Sequence, residues 1–323
     1  MVKVPGLDEE RRKDVRNLSI PAVRRGSRVA VISPASYPQP DKLAKGVEML
    51  GRFGFVPYVG QQALSKAHHY FAGSAQARLD DLHAAFLDPA AGAIFCSRGG
   101  YGSNYLLGSL DLGLVREHPK PFIAHSDMTC MQTWLLDQIG LVSFHGPMVA
   151  GDFAAPDGVD EASLLAALSG DRWFVGEASG LRTLIPGKAT GVLYGGCLTL
   201  LAASLGTPYA PRTEGKLLFL EDRDVKPYQL DRLLRQMILA GKFAGVTGII
   251  FGEMLDCLAP GQKNSILDDV ILRVLDWFEG PIAIGLRSGH VSRRNVTLAF
   301  GIQAELDLVR APLLSFVERA TEK

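Results

Sequence analysis

Many hydrolases combine a serine, a histidine and a carboxylate in one active site. This chain has candidates for all three, far apart in the sequence, at Ser126, Glu221 and His290. A serine hydroxyl becomes a nucleophile when a histidine removes its proton, and a carboxylate can orient that histidine. Each of the three lies where an apolar run meets a turn or a helix start, a place where enzymes carry reactive groups. The residue types therefore indicate acyl transfer through a hydrolytic triad, provided that the fold brings them together.

The surroundings of Ser126 indicate a strand-to-helix corner. Residues 121–124 form a short apolar run, which predicts a buried strand. Apolar residues then recur at helical spacing, at Met128, Met131, Leu135 and Ile139. Such a corner projects a hydroxyl from the backbone, while N–H groups at the start of the helix point into the same space. Ser126 is therefore either a nucleophile or a residue that only caps the helix.

Glu221 and His290 each have two interpretations. Residues 216–220 predict a buried strand that ends at Glu221, and Pro227 then opens an amphipathic helix. A carboxylate at the carboxyl end of a buried strand is either partly desolvated and aimed into a cleft or part of a solvated turn. His290 lies in a glycine-bearing polar loop, residues 285–295, between two apolar strands. It is either a catalytic base or an ordinary surface histidine.

Length and composition limit the classes of protein. The 323 residues carry 34 basic and 34 acidic side chains, which argues against a nucleic-acid-binding surface. No run of 18 apolar residues is present, so we expect no membrane span. Residues 1–17 are rich in charge and lack the apolar core of a secretory signal, which predicts a cytoplasmic protein. The four cysteines lack metal-ligand spacing, so we expect reduced thiols, no metal and no cofactor.

The alternation of elements predicts the fold class. From residue 27 to about 150, short apolar strands alternate with amphipathic helices, which indicates right-handed βαβ units and a parallel sheet. Residues 151–187 lack a long periodic segment, and the pattern that resumes after them ends in a strand near 296–308. The predicted fold class is α/β, with a parallel N-terminal sheet of flavodoxin or Rossmann type and a mixed α/β C-terminal domain. The predicted units are an N-terminal domain, a connection and a C-terminal domain, at residues 1–165, 166–186 and 187–323.

A polar, glycine-rich turn at residues 97–103 follows a predicted strand at residues 93–96. The turn does not match Gly-x-Gly-x-x-Gly, because Tyr105 stands at the last glycine position, and no Walker lysine follows. Its glycines still allow a ligand to approach the backbone closely. An oxyanion hole, a carboxylate-binding nest and a phosphate site all fit this turn. Ligands bind at the carboxyl ends of parallel strands, which is where Arg98 and Ser126 both fall.

Several segments of the chain occur in the same order in a known family. They are Ser97-Arg-Gly-Gly-Tyr-Gly102, Ser126-Asp-Met-Thr129, Phe144-His-Gly-Pro-Met148, Gly195-Gly-Cys-Leu-Thr-Leu-Leu-Ala202, Leu205-Gly-Thr-Pro-Tyr209, Leu218-Phe-Leu-Glu-Asp222, Phe251-Gly-Glu253 and Gly289-His290. From about residue 27 to 310 the chain thus resembles the LD-carboxypeptidase family of serine peptidases, also called muramoyltetrapeptide carboxypeptidases. The resemblance implies that Ser126 is the nucleophile, His290 the general base and Glu221 the residue that orients the histidine. It also implies an active site between two domains, commonly within a homodimer.

The reaction implied by the resemblance is hydrolysis of the bond before a terminal D-amino acid, through an acyl-enzyme that water resolves. We expect the oxyanion to meet backbone N–H groups near Gly99, Gly100 and Asp127. Arg98 either pairs with the free carboxylate of the leaving residue or holds the domains together through a salt bridge. Tyr101 either lines the pocket or simply packs. His125 and Cys197 depart from the family, which usually has a small residue before the serine and Asn in the Gly-Gly-x-Leu motif.

Three functions compete. The first is removal of the terminal D-Ala of murein tetrapeptides, so that the expected partners are a small peptide and a second copy of the chain, with no nucleic acid and no membrane. The second, from the same family, is an immunity-type hydrolase that cleaves a peptidyl-nucleotide antibiotic such as microcin C. In that case Trp173 is either a residue that stacks on the nucleotide or a packing residue. The third is a non-enzymatic binding protein of two α/β lobes, in which Ser126 is unreactive.

Overall fold

The computed structural model describes residues 15–263 and 265–322, which form two β-sheets with flanking helices. The strands are β1 (Arg28–Ile32), β2 (Val56–Val59), β3 (Ala93–Cys96), β4 (Phe122–Ala124), β5 (Ser143–His145), β6 (Phe174–Gly176), β7 (Arg182–Ile185), β8 (Lys188–Cys197), β9 (Lys216–Glu221), β10 (Gly248–Gly252), β11 (Ile282–Leu286), β12 (Leu298–Phe300), β13 (Gln303–Asp307) and β14 (Leu313–Phe316). The helices are α1 (Pro40–Arg52), α2 (Ala75–Leu87), α3 (Leu112–Glu117), α4 (Thr129–Ile139), α5 (Glu161–Ser169), α6 (Leu198–Ala203), α7 (Pro227–Leu239) and α8 (Ser265–Val274). Residues 1–14, which the sequence assigns to the N-terminal domain without a secretory signal, lie outside the described residues.

The first sheet has the strand order β2-β1-β3-β4-β5-β12. Strands β1 to β5 pair in parallel, and β12 adds to β5 in the antiparallel direction. The order 2-1-3-4-5 is the flavodoxin-like arrangement, in which ligands bind beyond the carboxyl ends of the strands. The sequence prediction of a parallel N-terminal sheet is confirmed.

The second sheet is mixed, as the sequence predicts. Its order is β6-β14-β13-β8-β9-β10-β11-β7, with parallel pairing from β8 to β11 and antiparallel pairing toward both ends. The prediction of one final strand near 296–308 is wrong, because Gly301 turns the chain at a φ of +105° between β12 and β13. Strand β12 lies in the first sheet and β13 in the second. The division into domains at residues 165 and 187 stays a prediction.

Local sequence accounts for the helices that support the sheets. Ser74 begins α2, since its hydroxyl accepts the Ala77 N–H at 3.1 Å, and the helix buries Leu79, Leu82 and Phe86 as its spacing predicts. Within the stretch that lacks a long periodic segment, the short helix α5 is capped by Asp160 and ends at Gly170, whose φ is +72°. No helix of the described residues is long and apolar enough to cross a membrane.

The two sheets meet where strands from each of them end. The backbone N–H of Cys197, the last residue of β8, donates to Thr129 Oγ1 at 3.0 Å, at the start of α4. A Cβ on Gly196 would stand 2.6 Å from the same oxygen, so only glycine allows this approach. The ends of β4 in the first sheet and of β8 and β9 in the second therefore face one region, and side chains that follow these strands can meet there.

Candidate active site

Ser126 lies at the corner between β4 and α4. Residues Ser126–Met128 form one 3-10 turn, and α4 begins only after it, so Ser126 does not cap the helix. The φ of Ser126 is +64°, a left-handed conformation that costs a residue with a side chain about 1–2 kcal/mol. Its hydroxyl forms no hydrogen bond with the described residues. The corner thus presents a half-buried and unengaged hydroxyl from a strained backbone.

The glycine-rich turn after β3 packs directly against Ser126. A Cβ on Gly99 would lie 2.8 Å from Ser126 Cβ, 2.9 Å from Ser126 Oγ and 3.3 Å from the backbone nitrogen of Asp127. A Cβ on Gly100, whose φ is +94°, would instead stand 2.4 Å from Ser36 Oγ. The N–H groups of Gly99 and Gly100 donate to no acceptor in the described part of the chain. Gly99, whose N–H is free, therefore lies beside the serine hydroxyl, and the free N–H of Gly100 follows it in the same turn.

Glu221 is the last residue of β9 and is fully buried, so it is not part of a solvated turn. Its Oε2 accepts two hydrogen bonds from His290, one from Nδ1–H at 2.8 Å and one from the backbone N–H at 3.0 Å. The approach requires glycine before the histidine, since a Cβ on Gly289 would stand 2.6 Å from Glu221 Cδ. An ionised carboxylate only accepts hydrogen bonds, so it fixes the proton of a neutral His290 on Nδ1 and leaves Nε2 with a lone pair.

Glu221 and His290 each stabilise the charged form of the other. Burial alone would raise the pKa of Glu221, but the nearby imidazoles of His290 and His145 hold that pKa well below its usual range. Burial likewise opposes the charged form of His290, but the Glu221 carboxylate outweighs it and raises the pKa of His290 above its usual value. Glu221 is therefore ionised near neutral pH, and His290 is a stronger base than an isolated histidine.

The loop that carries His290 is held by two residues. Asn295 Oδ1 accepts the Gly289 N–H at 3.1 Å, while its Nδ2 donates to the Gly289 carbonyl at 2.9 Å and to Asp152 Oδ1 at 3.1 Å. The other oxygen of Asp152 accepts the Met148 N–H at 2.8 Å. Burial raises the pKa of Asp152 to about 6. Sequence reasoning missed Asp152, because nothing in the stretch 151–187 marks that carboxylate as buried.

His125 links Ser126 to His290. The His125 ring lies edge-on to the His290 ring, with centroids 5.3 Å apart, and its Nδ1–H donates to the Gly146 carbonyl at 2.9 Å. Burial and the two neighbouring histidines lower the pKa of His125 to about 3, so this ring is neutral. The structure thus brings Glu221 and His290 into hydrogen-bond contact and places Ser126 beside the same cluster. No hydrogen bond joins Ser126 to His290 within the described residues.

The two side chains expected to contact substrate lie on the glycine-rich turn. Arg98 is exposed, donates one long hydrogen bond of 3.4 Å to the Tyr37 carbonyl and forms no ion pair within the described residues, so it does not bridge the domains. Tyr101 is 41% exposed and packs in an aromatic cluster, 5.8 Å from the Phe71 ring and 6.0 Å from the Tyr105 ring. Both side chains are exposed on the turn that packs against Ser126.

Trp173 is a packing residue. Its ring is buried and stacks on Phe316 with the centroids 4.0 Å apart, so its face is not open to a nucleotide. Cys197 is also buried, with Sγ 3.7 Å from Asp222 Oδ1, and faces away from solvent. Among the described residues no three histidine, cysteine or acidic side chains are grouped as a metal ion requires.

Two family models match the chain. One describes the LD-carboxypeptidase N-terminal domain and covers residues 29–146, and the other describes the LD-carboxypeptidase C-terminal domain and covers residues 190–306. A protein of Bacillus subtilis described as a probable murein peptide carboxypeptidase is 37% identical over 294 residues, which are 88% of this chain and 90% of the relative.

Two solved structures share the fold over nearly the whole chain. A muramoyltetrapeptide carboxypeptidase from Oxalobacter formigenes is 27% identical with a TM-score of 0.80, covering 91% of this chain and 100% of that one. An MccF-like protein from Bacillus anthracis is 25% identical with a TM-score of 0.83, covering 93% and 99% respectively. The ranges matched by the two family models include both the corner at Ser126 and the end of β9.

Proposed function

The chain belongs to the LD-carboxypeptidase family and is a peptidase, and we propose that it releases the terminal D-Ala of murein tetrapeptides through Ser126, His290 and Glu221. The binding-protein alternative is thereby set aside. The observation that carries the proposal is the pair of hydrogen bonds, 2.8 and 3.0 Å, between a fully buried Glu221 and His290 beside the strained corner of Ser126. Relatives named as murein peptide and murein tetrapeptide carboxypeptidases support the substrate class.

Each residue has a defined part in the proposed reaction. His290 Nε2 takes the proton of Ser126 Oγ as the oxygen attacks the carbonyl before the D-residue, and Glu221 stabilises the imidazolium that forms. His290 then returns the proton to the leaving amine, and D-Ala departs from the acyl-enzyme. Water, deprotonated by the same imidazole, attacks the ester and releases the shortened peptide.

The glycine-rich turn supplies the remaining contacts. N–H groups of Gly99, Gly100 and Asp127 stabilise the oxyanion, each worth roughly 3 kcal/mol when correctly aimed. Arg98, which has no carboxylate partner among the described residues, binds the terminal carboxylate of the substrate, and Tyr101 lines the pocket. A free carboxylate held beside the scissile bond restricts cleavage to the last residue, which is carboxypeptidase rather than endopeptidase action.

The test is mass-spectrometric measurement of D-Ala release from L-Ala-γ-D-Glu-meso-diaminopimelyl-D-Ala, with the wild type and Ser126→Ala. We expect kcat to fall by roughly three or more orders of magnitude in the variant. Ser109→Ala is the matched control, because Ser109 is exposed and its hydroxyl has no hydrogen bond within the described residues; it should keep wild-type activity. A tetrapeptide that ends in L-Ala should resist cleavage. Equal release by wild type and Ser126→Ala would remove the serine from the mechanism.

A second candidate function has support of its own. The structural likeness to an MccF-like protein, together with the exposed rings of Tyr70, Tyr101 and Tyr105 next to the glycine-rich turn, favours an immunity-type hydrolase that cleaves peptidyl-nucleotides. An aromatic face can stack on a base, a part that the buried Trp173 does not play. Binding of aminoacyl-adenylate analogues, measured by calorimetry, separates the two candidates. If the protein cleaves the tetrapeptide and does not bind these analogues, the second candidate is wrong and the carboxypeptidase function is retained.

We further propose that the protein acts in the cytoplasm, and that it is a homodimer, the state that the family resemblance implies. Light scattering on the purified protein would give twice the 34.9 kDa chain mass. Cell fractionation with an antibody against the chain checks the compartment.

A further inference from the structure

A second histidine stands beside Glu221 and takes no part in the reaction above. His145, the last residue of β5, is fully buried and its Nε2 lies 3.8 Å from Glu221 Oε1. Neither atom has a hydrogen-bond partner within the described residues. The other oxygen of Glu221 is already engaged by His290. Glu221 therefore lies between two imidazoles, one on each carboxylate oxygen.

The hydrogen bonds of His145 decide which of its nitrogens carries the proton. His145 Nδ1 lies 2.9 Å from Ser288 Oγ, and the same hydroxyl lies 3.4 Å from the backbone carbonyl of His145, a longer contact to which it would otherwise donate. A hydroxyl can donate to that nitrogen, whereas a lone pair on Nε2 would face the lone pairs of an ionised carboxylate. The favourable arrangement has Ser288 O–H donating to Nδ1 and the proton on Nε2, directed at Glu221 Oε1.

The surroundings keep His145 neutral. Its ring is packed between Phe219 and Phe300, each with a centroid 5.2 Å away. Burial lowers the pKa of His145 and outweighs the opposing effect of Glu221. The other titratable groups that face it are His290 and His125, the latter with its ring centroid 5.9 Å away. A neutral donor can orient a carboxylate without competing with His290 for the charge of the pair.

We propose that His145 is a positioning residue that holds Glu221 Oε1 through Nε2–H, so that Oε2 stays aligned with His290. The inference rests on the proposed function, since it assigns His145 an effect on that reaction. A shift of under about 1 Å brings the 3.8 Å separation into hydrogen-bond range. Because β5 belongs to the first sheet and β9 to the second, this contact also ties the carboxylate to the sheet that carries Ser126.

The first part of the test compares His145→Leu with His145→Gln. Leucine fills the site without a donor, whereas the glutamine amide N–H can replace Nε2–H. We expect His145→Leu to lower kcat by about 10- to 100-fold, comparable with the loss of an outer partner of a metal-bound histidine. KM should stay nearly unchanged, because His145 does not touch substrate. His145→Gln should recover most of kcat.

The second part is the pH profile of kcat/KM. Without the Nε2–H donor, the negative charge of Glu221 is shared with one fewer hydrogen bond, so His290 becomes more basic and the acid limb moves to higher pH in His145→Leu. The limb should return toward the wild-type position in His145→Gln. The other titratable or charged groups around His290 are unchanged in both variants; they are His125, Asp152, Asp222 and Arg223. A merely structural role of His145 would lower the thermal midpoint without moving the limb.

A third measurement does not depend on activity. Nitrogen-15 NMR of the wild type should show His145 neutral with its proton on Nε2, and a proton on Nδ1 instead would overturn the proposal. If His145→Leu does not fold, Ser288→Ala is used for the kinetic test, because it removes the hydroxyl that keeps the proton of His145 on Nε2. In that variant kcat should fall several-fold, and an unchanged kcat would also overturn the proposal. Failure of the wild type to release D-Ala would contradict the proposed function alone, since the NMR result still decides the state of His145.

Discussion

The serine region (Gly99, Gly100 and residues 125–127) and the carboxylate–histidine region (Glu221 and residues 289–290) are built on opposite principles. In the serine region the backbone is strained, with φ of +64° at Ser126, and the hydroxyl and glycine N–H groups have no partner among the described residues. In the carboxylate–histidine region Glu221 is fully buried and His290 is fixed to it by two hydrogen bonds. Open groups can engage substrate, while closed groups hold the geometry in advance.

The difference predicts how each region responds to substitution. Changes in the carboxylate–histidine region disturb an existing network and should alter both rate and pH dependence. Changes in the serine region remove a group that nothing in the protein holds, and should leave the rest of the structure unaffected or relieved of strain. If substitutions in the two regions had the same effects on rate, pH dependence and stability, this contrast would be wrong.

The largest expected effect is that of Glu221→Gln. The amide keeps the size of the side chain, but it no longer stabilises the imidazolium or fixes the proton of His290 on Nδ1. We expect kcat for D-Ala release to fall by roughly 10³- to 10⁴-fold. The same substitution at the exposed Glu305 of β13 is the control and should have no effect. A loss of less than tenfold in Glu221→Gln would mean that the carboxylate does not serve the histidine.

Gly289→Ala should have the next largest effect. A Cβ there would stand 2.6 Å from Glu221 Cδ and 2.7 Å from His145 Cε1, on a backbone with φ of +92°. Displacement of these groups by a fraction of an ångström or more should lower kcat/KM by about 100-fold. Gly26→Ala is a close control, since φ is +90° there and nothing lies within 4 Å of the added Cβ. If the two variants lost activity equally, backbone strain rather than contact with Glu221 would be responsible.

A smaller effect is expected in the pH dependence of kcat/KM, and the direction of the shift can be predicted. Because Glu221 raises the pKa of His290 above its usual value, the base is protonated and inactive below that pKa, and kcat/KM should fall on an acid limb at a higher pH than an ordinary histidine would give. In Glu221→Gln the charge of Glu221 is absent while burial remains, so the midpoint of the acid limb should move to lower pH. A limb that stays in place in this variant would assign the titration to another group.

The sequence predicted where the site residues lie in the fold better than it predicted the burial and the contacts of their side chains. The ends of the apolar runs located Ser126 and Glu221 at the carboxyl ends of β4 and β9, since strand ends follow from local pattern. The choice between a solvated turn and a buried carboxylate at Glu221 could not be made locally. It depends on His290 and His145, which lie 69 and 76 positions away in the chain.

Two further residues show the same limit. His145 ends β5 just as Ser126 follows β4, so the rule that selected the serine could have selected the histidine as well. Asp152 gave no signal, because a single acidic residue in a polar stretch has the pattern of a surface loop. Its contact with Asn295 spans 143 positions and forms only when β12 crosses into the first sheet.

The smallest effect concerns stability rather than rate, and it tests the strain in the serine region. Glycine adopts a φ of +64° readily, whereas alanine does not. Ser126→Gly should therefore be more stable than Ser126→Ala by about 1 kcal/mol, although both are inactive. Thermal and urea unfolding of the two variants would measure the difference. The same pair at Ser109, which lies in a 3-10 turn without positive φ, should show the opposite order, because glycine there only increases the entropy of the unfolded chain. If Ser126→Gly were the less stable variant of its pair, the corner would not be strained, and the open character of the serine region would need another cause.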